Sequence, residues 1–134
     1  IGNIRLVGIF SEVLASLCDG EVNQLCSRFQ LDITLDDYLT KCHQKTACLF
    51  GAACEAAGVV AALPEPQIQA LKQFGLAYGV AFQLVDDLLD FTAETASLGK
   101  PVMGDLCNGI VTAPVILALQ HPDHGMTVRQ QIET

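Results

Sequence analysis

Asp86, Asp87 and Asp90 place three carboxylates within five residues of the stretch Phe82-Gln83-Leu84-Val85-Asp86-Asp87-Leu88-Leu89-Asp90. In a helix each residue turns by about 100°, so Gly79, Gln83, Asp86 and Asp90 fall along one face. Val80, Leu84, Leu88 and Phe91 form an apolar stripe beside it. A line of carboxylates next to a dry stripe suits a cation held inside a helical bundle. Hard divalent ions such as Mg²⁺ take oxygen ligands, keep several waters and share their shell with substrate phosphates. The other reading is a solvated acidic face. Against it stands the mutual repulsion of three like charges on so apolar a helix.

Two basic elements could answer these carboxylates. Lys41 and Lys45 are four apart on one helical face, and Thr46 follows Lys45. A lysine on an alanine-rich helix ordinarily extends its ammonium to solvent; the alternative is an ammonium aimed at a phosphate beside the metal. The second element is Gly99-Lys100, a loop that lies ten residues past Asp90 and is short enough to fold back over the helix end. Together these groups make a coherent site for a diphosphate bridged by metal ions.

The elements that must position them read as helix after helix. From about Ile4 to Phe29 apolar residues recur three or four apart, with Gly20-Glu21 as a kink. Thr34 is the expected N-cap of a second helix, with Asp37 at its third position and two acids beside its positive end, running to about Ala62. Leu63-Pro64-Glu65-Pro66 is a loop, because two prolines do not continue a helix. A third helix is expected from about Gln67 to Phe91, a loop from Thr92 to Gly109 and a shorter helix from about Thr112 to Leu119. The tail from His121 is polar and weakly patterned. No stretch alternates with period two long enough to predict a strand.

Composition narrows the class. The 134 residues suit one domain, 51% are hydrophobic and only 16% charged, so the helices carry wide apolar faces. A net charge of −8 argues against nucleic acid, which demands a basic surface. The six cysteines form no CxxC pair, and Cys42, Cys48 and Cys54 lie six apart, scattered around a helix, so no zinc site is expected. They read as buried, reduced thiols. The apolar run Ala47–Leu63 carries Glu55 and two glycines and reads as a core helix, not a membrane span. No secretory or transit segment is read at the start. The expected location is cytoplasmic, or the plastid if a missing N-terminus carries a transit peptide.

The pattern Gly79-x-x-Phe82-Gln83-x-x-Asp86-Asp87-x-x-Asp90, followed by Gly99-Lys100-Pro101 and Asp105-Leu106, resembles the second aspartate-rich region of the trans-isoprenyl diphosphate synthases. Upstream, Gly20-Glu21-x-x-Gln24 and Lys45-Thr46 are similar to that family's two preceding blocks, in order. Downstream, Gly109-x-x-Thr112-Ala113-Pro114-Val115-Ile116 is similar to its long-chain, solanesyl-type members. Five blocks in sequence are specific where DDxxD alone is weak.

The resemblance implies an all-α antiparallel bundle of the isoprenoid synthase type, binding an allylic diphosphate and isopentenyl diphosphate in a central cavity with Mg²⁺, and a homodimer in the intact protein. It implies Asp86 as the direct metal ligand, with Asp87 and Asp90 in the inner or outer shell. Lys45 and Lys100 would grip the allylic diphosphate, and Thr46, Phe82 and Gln83 would line the substrate; Asp86, Lys45 and Lys100 would carry catalysis. Lys41 lies outside the matched block and is expected to matter least. The family's first aspartate-rich motif has no counterpart here; Asp36-Asp37 reads as a cap. Residues 1–134 are therefore expected to be the C-terminal portion of one synthase domain, inactive alone. The alternatives are a non-catalytic subunit of a heteromeric synthase and a class I terpene cyclase.

Overall fold

Asn3 starts the first helix: its side chain accepts the backbone N–H of Arg5, and α1 runs Ile4–Cys26. The computed structural model describes residues 2–92 and 103–133, and its regular structure is entirely helical. α1 passes through Gly20 without a break. The glycine serves close approach instead of a kink: a Cβ there would sit 3.1 Å from the backbone nitrogen of Lys45. α1 turns Ile9 inward, whereas Ile4, Val7, Phe10, Leu14 and Leu25 are exposed. This apolar stripe thus faces away from the rest of the described chain.

Thr34 caps α2 (Leu35–Cys42) in a full capping box with Asp37. The expected single helix to Ala62 is interrupted by a wide π-helical turn, His43–Ala47, before α3 (Cys48–Val60). Such a turn carries one extra residue per loop of helix and concentrates at functional sites. Here it holds Lys45 and Thr46. α3 ends where Leu63 N–H bonds to the Gly58 carbonyl and Ala62 N–H to that of Val59, with Ala62 in the left-handed region (φ 51°).

α4 (Glu65–Thr92) begins two residues before the expected start, because a proline at Pro66 is tolerated in a first turn whose N–H groups lack helical partners anyway. It crosses α3 closely. A Cβ at Gly75 would lie 2.4 Å from the Phe50 carbonyl oxygen, and one at Gly79 would lie 2.5 Å from Ala47 Cα. Then come the short α5 (Gly104–Cys107), α6 (Ala113–Leu119) and α7 (Gly125–Ile132). α7 is a helix where the sequence showed only a polar tail. Ile132 packs it against the main core cluster, and Arg129 pairs with Asp32. That cluster is Tyr38, Cys42, Val111, Ala113, Val115 and Ile116.

All six cysteines are free, but only Cys42 and Cys48 are buried; Cys18, Cys26 and Cys107 are exposed, against the expectation of uniformly buried thiols. Among the described residues no helix is long and apolar enough to cross a membrane.

Candidate active site

α4 turns a line of small and polar residues inward: Gly75, Gly79 and Asp87 are buried and Gln83 is half-buried. The acidic cluster therefore divides. Asp86 is exposed and makes no hydrogen bond or ion pair to a described residue. Asp87, one residue and about 100° further round the helix, is 3% exposed and held by two donors. The Tyr38 hydroxyl donates to its Oδ2 at 2.5 Å, and Gln83 Nε2 donates to its Oδ1 at 2.8 Å. Thr46 in turn donates to Gln83 Oε1 at 2.7 Å, so a chain of hydrogen bonds runs from the π-helical turn across α4 to α2.

Asp90 has a third environment. Its two carboxylate oxygens accept the backbone N–H groups of Gly104 and Asp105, each at 3.2 Å, and anchor the start of α5. This brings Asp105 to the acidic cluster. Burial pushes the Asp105 carboxyl upward, and the charges of Asp90, Asp87 and Asp86 raise it further. For Asp87 burial is again the largest upward influence; the bonds from Tyr38 and Gln83 oppose it, and Asp86 and Asp90 add to it.

The apolar stripe expected beside the carboxylates is not continuous. Phe91 packs on the core, whereas Leu84 and Leu88 are exposed. The reason is the division itself: turning Asp87 and Gln83 inward rotates Leu84 and Leu88 outward.

A cavity of ≈ 250 Å³ opens here, with Lys41 and Lys45 on one wall and Gln83, Asp86, Asp87 and Asp105 on another. Lys45 Nζ donates to Gln24 Oε1 at 2.7 Å and lies 3.8 Å from Glu21. Gly20-Glu21-x-x-Gln24, Lys45-Thr46 and the acidic cluster, separate in sequence, are thus neighbours. Phe82 is not among the residues lining this cavity. It precedes Gln83 by one helical step and stands on the adjacent face, half-exposed, with its ring 5.5 Å from that of Phe50. Lys100 lies outside the described residues. Sequence reading missed Tyr38, the donor to Asp87, and Thr112, which lines the cavity with a buried hydroxyl that has no protein partner among the described residues. A tyrosine one turn into a capped helix carries no local mark of its distant partner.

The acidic cluster itself offers carboxylate oxygens, which suit a hard divalent cation. No group of three ligating side chains among the described residues is arranged to hold a metal ion unaided.

A sequence model of the polyprenyl synthetase family matches residues 1–134. The chain is 40% identical over 119 residues to solanesyl diphosphate synthase 2, chloroplastic, of Arabidopsis thaliana, covering 89% of this chain and 28% of that protein. The crystal structure of heptaprenyl diphosphate synthase from Staphylococcus aureus superposes with a TM-score of 0.90 at 31% identity, covering 99% of this chain and 45% of that one. A polyprenyl synthase from Caulobacter crescentus CB15, solved with calcium and isoprenyl diphosphate, gives a TM-score of 0.86 at 34% identity, covering 98% and 40%. The chain spans less than half the length of each.

Proposed function

Because the chain belongs to the polyprenyl synthetase family, with its all-α isoprenoid synthase fold, we propose that residues 1–134 are the C-terminal portion of one isoprenyl diphosphate synthase domain. The whole protein condenses isopentenyl diphosphate with an allylic diphosphate to give a polyprenyl diphosphate. The observation that supports this most directly is the meeting of Lys45 with Asp86 and Asp105 around one cavity, from three separate elements.

In this reading Lys45 binds the allylic diphosphate, aided by Lys100. The allylic carbon–oxygen bond breaks, and the electron pair leaves with the diphosphate. The double bond of isopentenyl diphosphate attacks the resulting cation, and a proton is lost from the product. Preorganised positive charge at the departing group is the largest electrostatic contribution available to such a step. Gln83, fixed by Thr46 and Asp87, lines the reacting carbons together with Thr46. Asp87 holds Gln83 and Tyr38 in place and so sets the aim of its neighbours. Asp86 would be the direct Mg²⁺ ligand, because its oxygens make no bond to a described residue, with Asp90 and the donor-bound Asp87 in the shell around it; when bound, the ion supplies Lewis-acid charge beside the diphosphate. The intact protein is proposed to be a homodimer, located in the cytoplasm, or in the plastid if it carries a transit peptide.

The test is incubation of the full-length protein with labelled isopentenyl diphosphate, an allylic diphosphate and Mg²⁺. A lengthened, Mg²⁺-dependent prenyl product is expected. Its absence from folded protein would overturn the reading.

A further inference from the structure

Lys41 lines the same cavity as Lys45 but differs from it in its surroundings. Lys45 is bonded to Gln24 and approached by Glu21. The Lys41 ammonium has only the Ser27 hydroxyl, at 3.2 Å, and among the described residues no carboxylate lies within ion-pair distance of it. Burial holds its pKa below the ordinary lysine value, with Cys42, Asp37 and Asp87 acting weakly in the other direction. A half-buried cation that no described carboxylate contacts is unfavourable until an anion joins it. Its side chain also forms part of a second polar cavity with Ser27 and Asp37, so it stands in the partition between the two.

We infer that Lys41 is a second diphosphate-binding residue of this site, its ammonium contacting phosphate oxygens in the cavity beside Lys45. The inference rests on the prenyltransferase reading and extends it to a residue outside the blocks that carry the family resemblance. The charges around the cavity support it. Asp86, Asp87 and Asp105 line the space, and a multiply charged diphosphate would add to them. Among the described residues Lys45, partly answered by Glu21, is the other lysine that lines the cavity. Lys41 would supply a further strong donor by rotating its side chain from Ser27 across the partition. The rival role is structural: Lys41 ties α2 to the end of α1 through Ser27.

Calorimetric titration of inorganic diphosphate into the full-length protein separates the two. Lys41→Gln keeps a donor for Ser27 and removes the charge; Lys41→Met is the second variant should the first fold poorly. Loss of one charged hydrogen-bond donor is expected to raise the dissociation constant roughly 10- to 100-fold. Lys41→Arg should restore most of it, and Ser27→Ala, which cuts only the tie, should leave it unchanged. In turnover assays the Lys41→Gln change should appear in KM for the allylic diphosphate more than in kcat. Wild-type binding by Lys41→Gln, with Lys45→Ala weakened, would assign Lys41 to the tie and leave the prenyltransferase reading standing. A loss matched by Ser27→Ala would do the same. Unchanged binding in both lysine variants would overturn the inference and the reading of the cavity as a diphosphate site.

Discussion

The Tyr38 hydroxyl donates to Oδ2 of Asp87 at 2.5 Å, and each residue is only 3% exposed. This bond joins α2 to α4 at the back of the cavity, and it divides the work of two adjacent carboxylates. Asp87 is committed to protein donors, whereas Asp86 is exposed and bonds to no described residue. Chemistry and architecture therefore occupy neighbouring positions in the sequence, and substitution should separate them.

In the full-length protein Asp86→Ala should lower turnover by about 10²–10³, the usual loss for one well-placed electrostatic contact, with little change in melting temperature. Asp87→Ala should lower stability, since it leaves the buried Tyr38 hydroxyl without a partner at a cost of about 1–3 kcal/mol. Denaturant unfolding and turnover measured on both variants check this. Equal stability losses would contradict the division.

Gly75→Ala and Gly79→Ala should each destabilise by about 1–3 kcal/mol or more, because their new methyl groups meet backbone atoms and not flexible side chains. Gly8, in the helical interior of α1 with nothing within 4 Å of its Cβ position, is the control. Gly8→Ala should stabilise by up to about 1 kcal/mol. Thermal melts of the three variants give the comparison.

Ala62→Gly should stabilise the turn between α3 and α4. Ala62 occupies the left-handed position that closes α3, where a side chain costs about 1–2 kcal/mol relative to glycine. A fall in melting temperature would show that the turn is not held as described.

Hydrogen bonds from Arg5, and then from Gln69, hold the Glu65 carboxyl down to about 2 from an ordinary 4.5. The folded-state value lies below the unfolded one, so this contribution is complete above about 4.5 and is lost as pH falls toward about 2. The wild-type protein should therefore be more stable than Glu65→Gln at pH 7, with the gap closing through that acid range. A gap independent of pH would mean that the pair between α1 and α4 does not depend on the charge of Glu65.

The helical character of the chain was legible because long apolar repeats and a capping box are local signals; Thr34 and Asp37, three positions apart, marked the start of α2. The cluster Asp86, Asp87 and Asp90 was legible as a group for the same reason. That Asp87, and not Asp86, is buried alongside Gly79 and Gln83 was not, since that depends on how α4 is rotated, and the rotation is set by Gly75 and Gly79 against Phe50 and Ala47. α7 was missed because its anchors, Ile132 on the core and Arg129 on Asp32, are long-range contacts with no periodic trace in eight residues. The periodicity of α1 is real, and nothing in the described chain covers its exposed stripe.

The π-helical turn at His43–Ala47 makes the length of this segment as consequential as its composition. Deleting one residue there would let the helix relax to ordinary α geometry with the face of α3 kept in place, because the wide turn holds one residue more than an α-helical turn does. The loss would fall on Lys45 and Thr46, whose positions the wide turn sets. One further residue would have no second wide turn to absorb it, and everything C-terminal to it would turn by about 100° about the helix axis. Glu55 would then swing away from Lys72, and Gly51 and Gly58 would leave the groove of α4, although none of them had been altered. Substitutions in this stretch are felt where they occur, but an insertion is felt along the whole of α3. Related chains should therefore vary in side chains between Cys42 and Cys48 far more readily than in the number of residues between them.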